Sequence, residues 1–285
     1  MKKLLLFHLF LTAFVLILEL GLKKDLQNDK FEVVYLDVGQ GDSSLITIPG
    51  TSIQILVDAG DGRSVVLEEK LKEYLPKGDD LIDILILTHP HDDHYGGMEY
   101  VLNNFRVGLF MYNAIYSEDE VYNNLIFKIQ ESETAVLKII RGQKIKIGDD
   151  FSIQILHPFY SFDLEYKNLN NSSVVFLAEY KQEKFLFAGD LEKEGELLVL
   201  DYLKRRDKLS GIGRVKVLKV GHHGSNTATG ELWLKTLKPE KAIISAGVEN
   251  RFRHPHKEVI ERLRAYEVEI FQTKERGNIE ISHFD

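Results

Sequence analysis

Leu81-Ile82-Asp83-Ile84-Leu85-Ile86-Leu87-Thr88-His89-Pro90-His91-Asp92-Asp93-His94-Tyr95-Gly96-Gly97 is the stretch that decides the fold. Its first seven residues form a nearly continuous apolar run, the pattern of a buried strand. The run stops at Thr88, and His89, His91, Asp93 and His94 follow at once. His89 and His91, two apart on a chain leaving a strand, can aim both rings into one space. Asp93 and His94 sit where a helix would begin. Imidazole and carboxylate together suit zinc, manganese or iron. The chain has only ten histidines and three of them are here, so the cluster reads as a metal motif rather than an exposed polar turn.

Working outward, three downstream pieces extend this site. Phe185-Leu186-Phe187-Ala188-Gly189-Asp190 is an apolar strand ending in a carboxylate, where an Asp could bridge two cations. Taken alone it is also an ordinary strand end. Gly221-His222-His223-Gly224-Ser225 follows another apolar run. Asn250-Arg251-Phe252-Arg253-His254-Pro255-His256 precedes the last long helical pattern and could equally be a helix cap. Upstream, the turn Asp37-Val38-Gly39-Gln40-Gly41-Asp42 separates two β-rich runs, and its glycines let the backbone approach a site closely.

Composition narrows the chemistry. The 285 residues contain no cysteine, so disulfides and thiolate-ligated zinc are excluded and any metal must rest on His and carboxylates. A net charge of −8 argues against a long, uniformly basic nucleic-acid surface but leaves room for a local patch. Lys204, Arg205, Arg206, Lys208, Arg214, Lys216 and Lys219 form such a run, and Arg251 and Arg253 flank the later histidine segment. These charges are either a solvated face or phosphate-binding groups.

The N-terminus stands apart. Lys2 and Lys3 precede an apolar run over residues 4–18, which reads as a secretory signal peptide or a short signal-anchor. As a helix it covers roughly 22 Å, less than the ~30 Å of a hydrocarbon core. The expected division is 1–22 signal or anchor, 23–30 linker and 31–285 the domain that carries the metal motifs, held outside the cytoplasm as a secreted or membrane-anchored protein. Within 31–285, strand patterns dominate the first part and alternate with helices later, with helices expected over 65–75, 192–203, 231–237 and 255–266. That pattern points to an α/β sandwich of two mixed sheets covered by helices.

The order His-x-His-x-Asp-His, then Gly-Asp, then His-His-Gly-Ser resembles the metallo-β-lactamase superfamily. Asp37 to Ser43, Leu56-Val57-Asp58-Ala59-Gly60, Asn170-Asn171-Ser172-Ser173-Val174-Val175 and the Asn250 to Pro255 segment are more narrowly similar to the soluble hydrolase domain of ComEC-type competence proteins. The resemblance spans about residues 31–282. It implies an αββα sandwich with two divalent metals, zinc or manganese, at one edge of the sheets. By position it implies His89, His91, Asp93, His94, Asp190 and His223 as ligands, His223 being preferred to His222. Where lactamases and lactonases supply a further histidine, this chain offers Asn170, as ComEC-like members do.

The activity implied is hydrolysis through a metal-bridging hydroxide, with Asp93 orienting it and His254 or His222 assisting the leaving oxygen. Arg251, Arg253, Ser225 and Asn250 are the expected substrate contacts. Asp58 is expected to support ligating histidines, and Asp37 and Asp42 to shape the loop beside them. The expected substrate is a phosphodiester, DNA foremost, with a competence-type membrane protein as possible partner. The alternatives are hydrolysis of a small or cell-surface ester (a phosphocholine ester, cyclic nucleotide or lactone) and a non-catalytic DNA-binding module.

Overall fold

The computed structural model describes residues 30–51, 53–62, 64–159, 166–205 and 212–283. The expected signal or anchor segment and all of the linker but Lys30 lie outside the described residues, as do Arg206 and Lys208. In the first half the chain forms β1 (Phe31–Tyr35), β2 (Ser44–Thr47), β3 (Gln54–Val57), α1 (Ser64–Tyr74), β4 (Leu81–Leu87), α2 (Asp92–Tyr95), α3 (Met98–Asn104), β5 (Arg106–Tyr112), α4 (Glu120–Glu131) and β6 (Ala135–Lys138). The second half holds β7 (Lys144–Ile147), β8 (Phe151–His157), β9 (Val175–Tyr180), β10 (Glu183–Phe187), α5 (Lys193–Arg205), β11 (Val217–Lys219), α6 (Glu231–Leu237), β12 (Lys241–Ile244), α7 (Lys257–Ala265) and β13 (Glu269–Gln272). It closes with α8 (Thr273–Arg276) and β14 (Ile279–His283).

Among the described residues these strands make two seven-stranded sheets, ordered β14-β1-β2-β3-β4-β5-β6 and β13-β12-β11-β10-β9-β8-β7. Both are mixed, as expected. Each begins as an antiparallel meander and turns parallel, at β3–β4 in one sheet and β10–β11 in the other. The two halves thus repeat one topology, although no sequence repeat announces it. Asp58 follows β3 and His89 closely follows β4. Asp190 closely follows β10, and the His222-His223 pair comes just after β11. Asp58, His89, Asp190 and the His222-His223 pair therefore leave the carboxyl ends of strands at or just past the change from antiparallel to parallel pairing.

Alternation along each strand builds the layers. In β4, Ile84 and Ile86 face the opposite sheet while Leu85 and Leu87 face helices. Between the sheets Phe31, Tyr35, Phe176, Phe185 and Phe187 pack ring on ring, with Phe176 and Phe187 stacked at 4.7 Å. One outer layer buries Leu67, Leu71, Val101 and Leu125 from α1, α3 and α4. The other buries Val199, Trp233 and Leu263 from α5, α6 and α7. The result is the expected αββα sandwich.

Four elements were not anticipated: α4, α8, β7 and β14. The helix α4 has an aspartate cap, Asp119 Oδ1 accepting from Val121 N at 2.8 Å and Tyr122 N at 3.3 Å, and buries Tyr122, Leu125 and Ile129. The Asn123-Asn124 pair masks this helical spacing because asparagine favours turns. The strands β7 and β14 alternate charged or polar with apolar residues over only four and five positions. Their pairing with β8 and β1 decides them, not their own propensity.

Candidate metal centre

The turn after β4 carries the first half of the site. Thr88 N and Thr88 Oγ1 both donate to Asp58, each at 2.8 Å. Asp58 Oδ2 also lies 2.8 Å from His94 Nδ1. With Nδ1 turned back to a carboxylate, His94 presents Nε2 forward. His89 is completely buried, with Nδ1 3.0 Å from Thr88 Oγ1 and Nε2 2.9 Å from His91 Nδ1. Asp93 Oδ2 accepts from Gln40 Nε2 at 3.2 Å. The loop holding Gln40 can come this close because residue 41 is glycine. Its φ is +99°, and a Cβ there would sit 2.0 Å from the Asp93 carbonyl oxygen, the same oxygen that accepts from Asp42 N at 3.1 Å.

The second sheet delivers the other half. Asp190 N donates to Ser173 Oγ at 2.9 Å, which orients the carboxylate inward. His222 and His223 both adopt left-handed backbone, φ 49° and 52°, in the 3-10 turn Gly221–Gly224. The two rings consequently serve different sides. His223 is buried, with Nδ1 3.0 Å from Ser245 O and 3.2 Å from Asp42 Oδ1, and Nε2 3.1 Å from Asp93 Oδ2. His222 is partly exposed, with Nδ1 3.1 Å from Thr227 Oγ1 and 3.3 Å from Glu192 Oε1.

Asp190 is the meeting point. Its Oδ1 lies 3.3 Å from His94 Nε2, and its Oδ2 lies 3.4 Å from His223 Nε2, 3.8 Å from His89 Nε2 and 3.9 Å from His222 Nε2. The sets His89–His94–Asp190 and Asp93–His94–His223 each bring their ligand atoms within 4.8 Å of one another. Asp42 and Asp58 come equally near, but they touch the Nδ1 edges of His223 and His94 and so hold those rings from behind. Among the described residues, His94 Nε2, His223 Nε2 and Asp190 Oδ1 are buried without a hydrogen-bond partner. Three such groups converging would be expensive to leave unmet, and a divalent cation among them satisfies all three. The donor set fits a metal.

Burial opposes charge on His94 and His223, but Asp190 with Asp58 and Asp190 with Asp42 push both rings well above their usual range, so a cation binding there would displace their protons. Burial opposes charge on Asp190, but His223 and His94 outweigh it and hold the carboxyl well below its usual range. Asp93 is likewise held low against burial, by His223 and His94. Burial, reinforced by His94, keeps the His89 ring neutral, the state that can ligate. Burial, with His223, His222 and His256 alongside, pushes His254 down to about 4.

The remaining expected residues fall into two groups. Asn170 is drawn to the site: its Nδ2 donates to Glu192 Oε1 at 3.1 Å and its Oδ1 is buried without a partner. His254 is buried behind His223, its ring nearly parallel at 6.2 Å, with Nδ1 unpartnered. Arg251 and Arg253 are exposed, and neither guanidinium is ion-paired among the described residues. Asn250, by contrast, is engaged in its own loop, donating to Gly247 O and His254 O and accepting from His254 N. Ser225 Oγ is tied to Thr227. Asp37 closes its own turn by accepting from Gly39 N at 3.3 Å.

Four described members of the basic run before and within β11 are taken up by ion pairs. Arg205 pairs with Asp201, Arg214 with Glu240, Lys216 with Glu183 and Lys219 with Asp42. Four supporting residues went unread in the sequence: Gln40, Thr88, Glu192 and Lys219. Each is adjacent or nearly adjacent to a motif residue, and that proximity was the available signal.

The sequence profile described as the metallo-beta-lactamase superfamily matches residues 36–248. The chain belongs to the metallo-β-lactamase superfamily. Similar proteins include ComE operon protein 3 of Bacillus subtilis, 31% identical over 87% of this chain. Recombination protein 2 of Haemophilus influenzae is 29% identical over 98% of it. In both cases the match takes up 32% of the relative, so the chain spans about a third of their length. Among solved structures, the metallo-hydrolase Igni18 of Ignicoccus hospitalis superposes with TM-score 0.55 over 89% of this chain and 100% of its own, at 15% identity. The diiron β-hydroxylase CmlA of Streptomyces venezuelae superposes with TM-score 0.58 over 90% of this chain and 55% of its own, at 14% identity. These two likenesses show a shared fold.

Proposed function

We propose that this metallo-hydrolase is a dinuclear phosphodiesterase that cleaves nucleic acid, DNA foremost, with zinc or manganese as its native ions. The observation that carries the reading is the Asp190 carboxylate, which lies within 4 Å of His89, His94, His222 and His223 and so is shared by both ligand groups. One ion would rest on His89, His91 and Asp190 with Asn170 beside it, and the other on Asp93, His94, His223 and Asp190. Bound there, a divalent pair would lower the pKa of a water towards ~7 and offset phosphate charge.

The chain's own groups divide the remaining work. Asp93 is anionic, is braced by Gln40 and keeps 24% of its side chain exposed, so it can accept a hydrogen bond from an incoming water and orient it. His222 has Nδ1 near Thr227 and Glu192 and turns Nε2 towards Asp190, beside which it could assist the leaving oxygen. His254 stays neutral and can give a hydrogen bond there, but it carries no surplus proton. Arg251 and Arg253 suit phosphate oxygens. The relative named for recombination supports a nucleic-acid substrate.

We place the domain 31–285 outside the cytoplasm, secreted or held by residues 1–22 through the linker 23–30, with a competence-type membrane protein as partner. Among the described residues no helix is long and apolar enough to cross a membrane. The test is turnover by the chelated chain reloaded with zinc or manganese, on single-stranded DNA, bis-p-nitrophenyl phosphate and nitrocefin. Cleavage of the two phosphodiesters with nitrocefin untouched is expected. A metal-loaded chain inert on both phosphodiesters sinks the proposal in favour of a small-ester hydrolase, and DNA binding without cleavage sinks it in favour of a binding module.

A further inference from the structure

The loop between β12 and α7 carries an aromatic ring that none of these roles uses. Phe252 is 47% exposed beside the candidate metal centre. Its ring is nearly parallel to that of buried His254, at 5.6 Å and 19°. His254 is in turn nearly parallel to His223, at 6.2 Å and 27°. The Arg251 guanidinium lies 4.7 Å from the Phe252 centroid. Planar groups therefore run without a break from solvent to a candidate metal ligand.

The loop that presents Phe252 is braced. Asn250 bridges Gly247 O, His254 O and His254 N, and Arg253 N donates to Asn250 O at 3.1 Å. His256 Nε2 lies 3.2 Å from Phe252 O, while His256 Nδ1 accepts from Asn226 N at 2.9 Å. A lone exposed phenylalanine needs no explanation. One held rigidly in line with a metal ligand, between two exposed arginines, has the chemistry of a single-strand nucleic-acid subsite. Bases offer a π-face to an aromatic ring whatever their identity, and arginines reach the phosphates on either side. A base inside a duplex has both faces covered by its neighbours and cannot use such a ring.

We infer that Phe252 is a stacking platform for an unpaired nucleobase next to the scissile phosphate, with Arg251 and Arg253 on the flanking phosphates. The inference rests on the phosphodiesterase reading and adds to it a single-stranded substrate. Arg251 yields the ring to the incoming base and moves to phosphate.

The test uses the metal-loaded full chain on an oligothymidylate and on an equally long strand of abasic sites. The wild-type chain should favour the base-bearing strand about tenfold, expressed in KM. Phe252→Ala should abolish that preference, and Phe252→Trp should restore it. A preference that survives in Phe252→Ala, or a wild-type chain that cleaves both strands equally well, overturns the platform and leaves the phosphodiesterase reading standing. A wild-type chain that cleaves neither strand overturns both.

Discussion

Lys219 Nζ lies 2.7 Å from Asp42 Oδ2, with the two side chains 2% and 6% exposed, and Asp42 Oδ1 lies 3.2 Å from His223 Nδ1. A lysine at the end of a core strand thus neutralises the carboxylate that steadies a candidate ligand. Removing one partner of a buried pair strands the other charge, at about 3–5 kcal/mol. Lys219→Met should lower stability by that order in urea unfolding of the metal-free chain. The double variant Lys219→Met, Asp42→Asn should be more stable than Lys219→Met alone. A double variant at least as unstable as the single one would show that the pair is not the source of the loss.

Asp58 stands behind His94 as Asp42 stands behind His223. Partners of this kind fix the ring orientation and raise ligand basicity, and their loss weakens metal binding by about 10–100-fold. Asp58→Asn should show this in competition with a chromophoric chelator. Unchanged affinity would mean that Thr88 alone orients the ring.

Gly41 and Gly78 both have positive φ, +99° and +83°, but only Gly41 faces backbone; nothing lies within 4 Å of a Cβ at Gly78. Backbone strain of this kind costs roughly 1–3 kcal/mol. Gly78→Ala should suffer that strain alone. Gly41→Ala should lose more stability and also metal affinity, since it pushes against Asp93. Equal losses measured by thermal unfolding and metal titration would refute the close-approach argument.

His157, on β8 far from the ligands in sequence, has Nδ1 2.7 Å from Ser173 O, and burial pushes its pKa from 6.5 down to about 4. The folded chain therefore binds fewer protons than the unfolded chain between those values. Stability from this group is intact above pH 6.5 and falls as pH drops towards 4, by on the order of 3 kcal/mol. His157→Gln keeps a donor for Ser173 O and should flatten the slope of urea midpoint against pH over that window. The same slope in both proteins would assign it elsewhere.

Much of the architecture was legible because strands of alternating or wholly apolar residues announce their period locally. The ends of β4 and α6 match the sequence expectation, and most other boundaries fall within a residue or two. What escaped reading was short or paired at a distance: β7 and β14, whose polar alternation means little until a neighbour is present, the short α8, and α4, masked by two asparagines. The basic run likewise looked like one surface, because its acidic partners Asp42, Glu183 and Glu240 are far away in the chain.

By itself the sequence determined the ligand types, their order, and their attachment to the ends of apolar strands. These are local properties of side-chain chemistry and backbone period. Only the tertiary structure decided that Asp190 faces both ligand groups, that His223 turns inward while His222 stays partly open, and that Phe252 lines up with His254. Those relations arise from the packing of one sheet on the other and from left-handed turns whose direction no local pattern states.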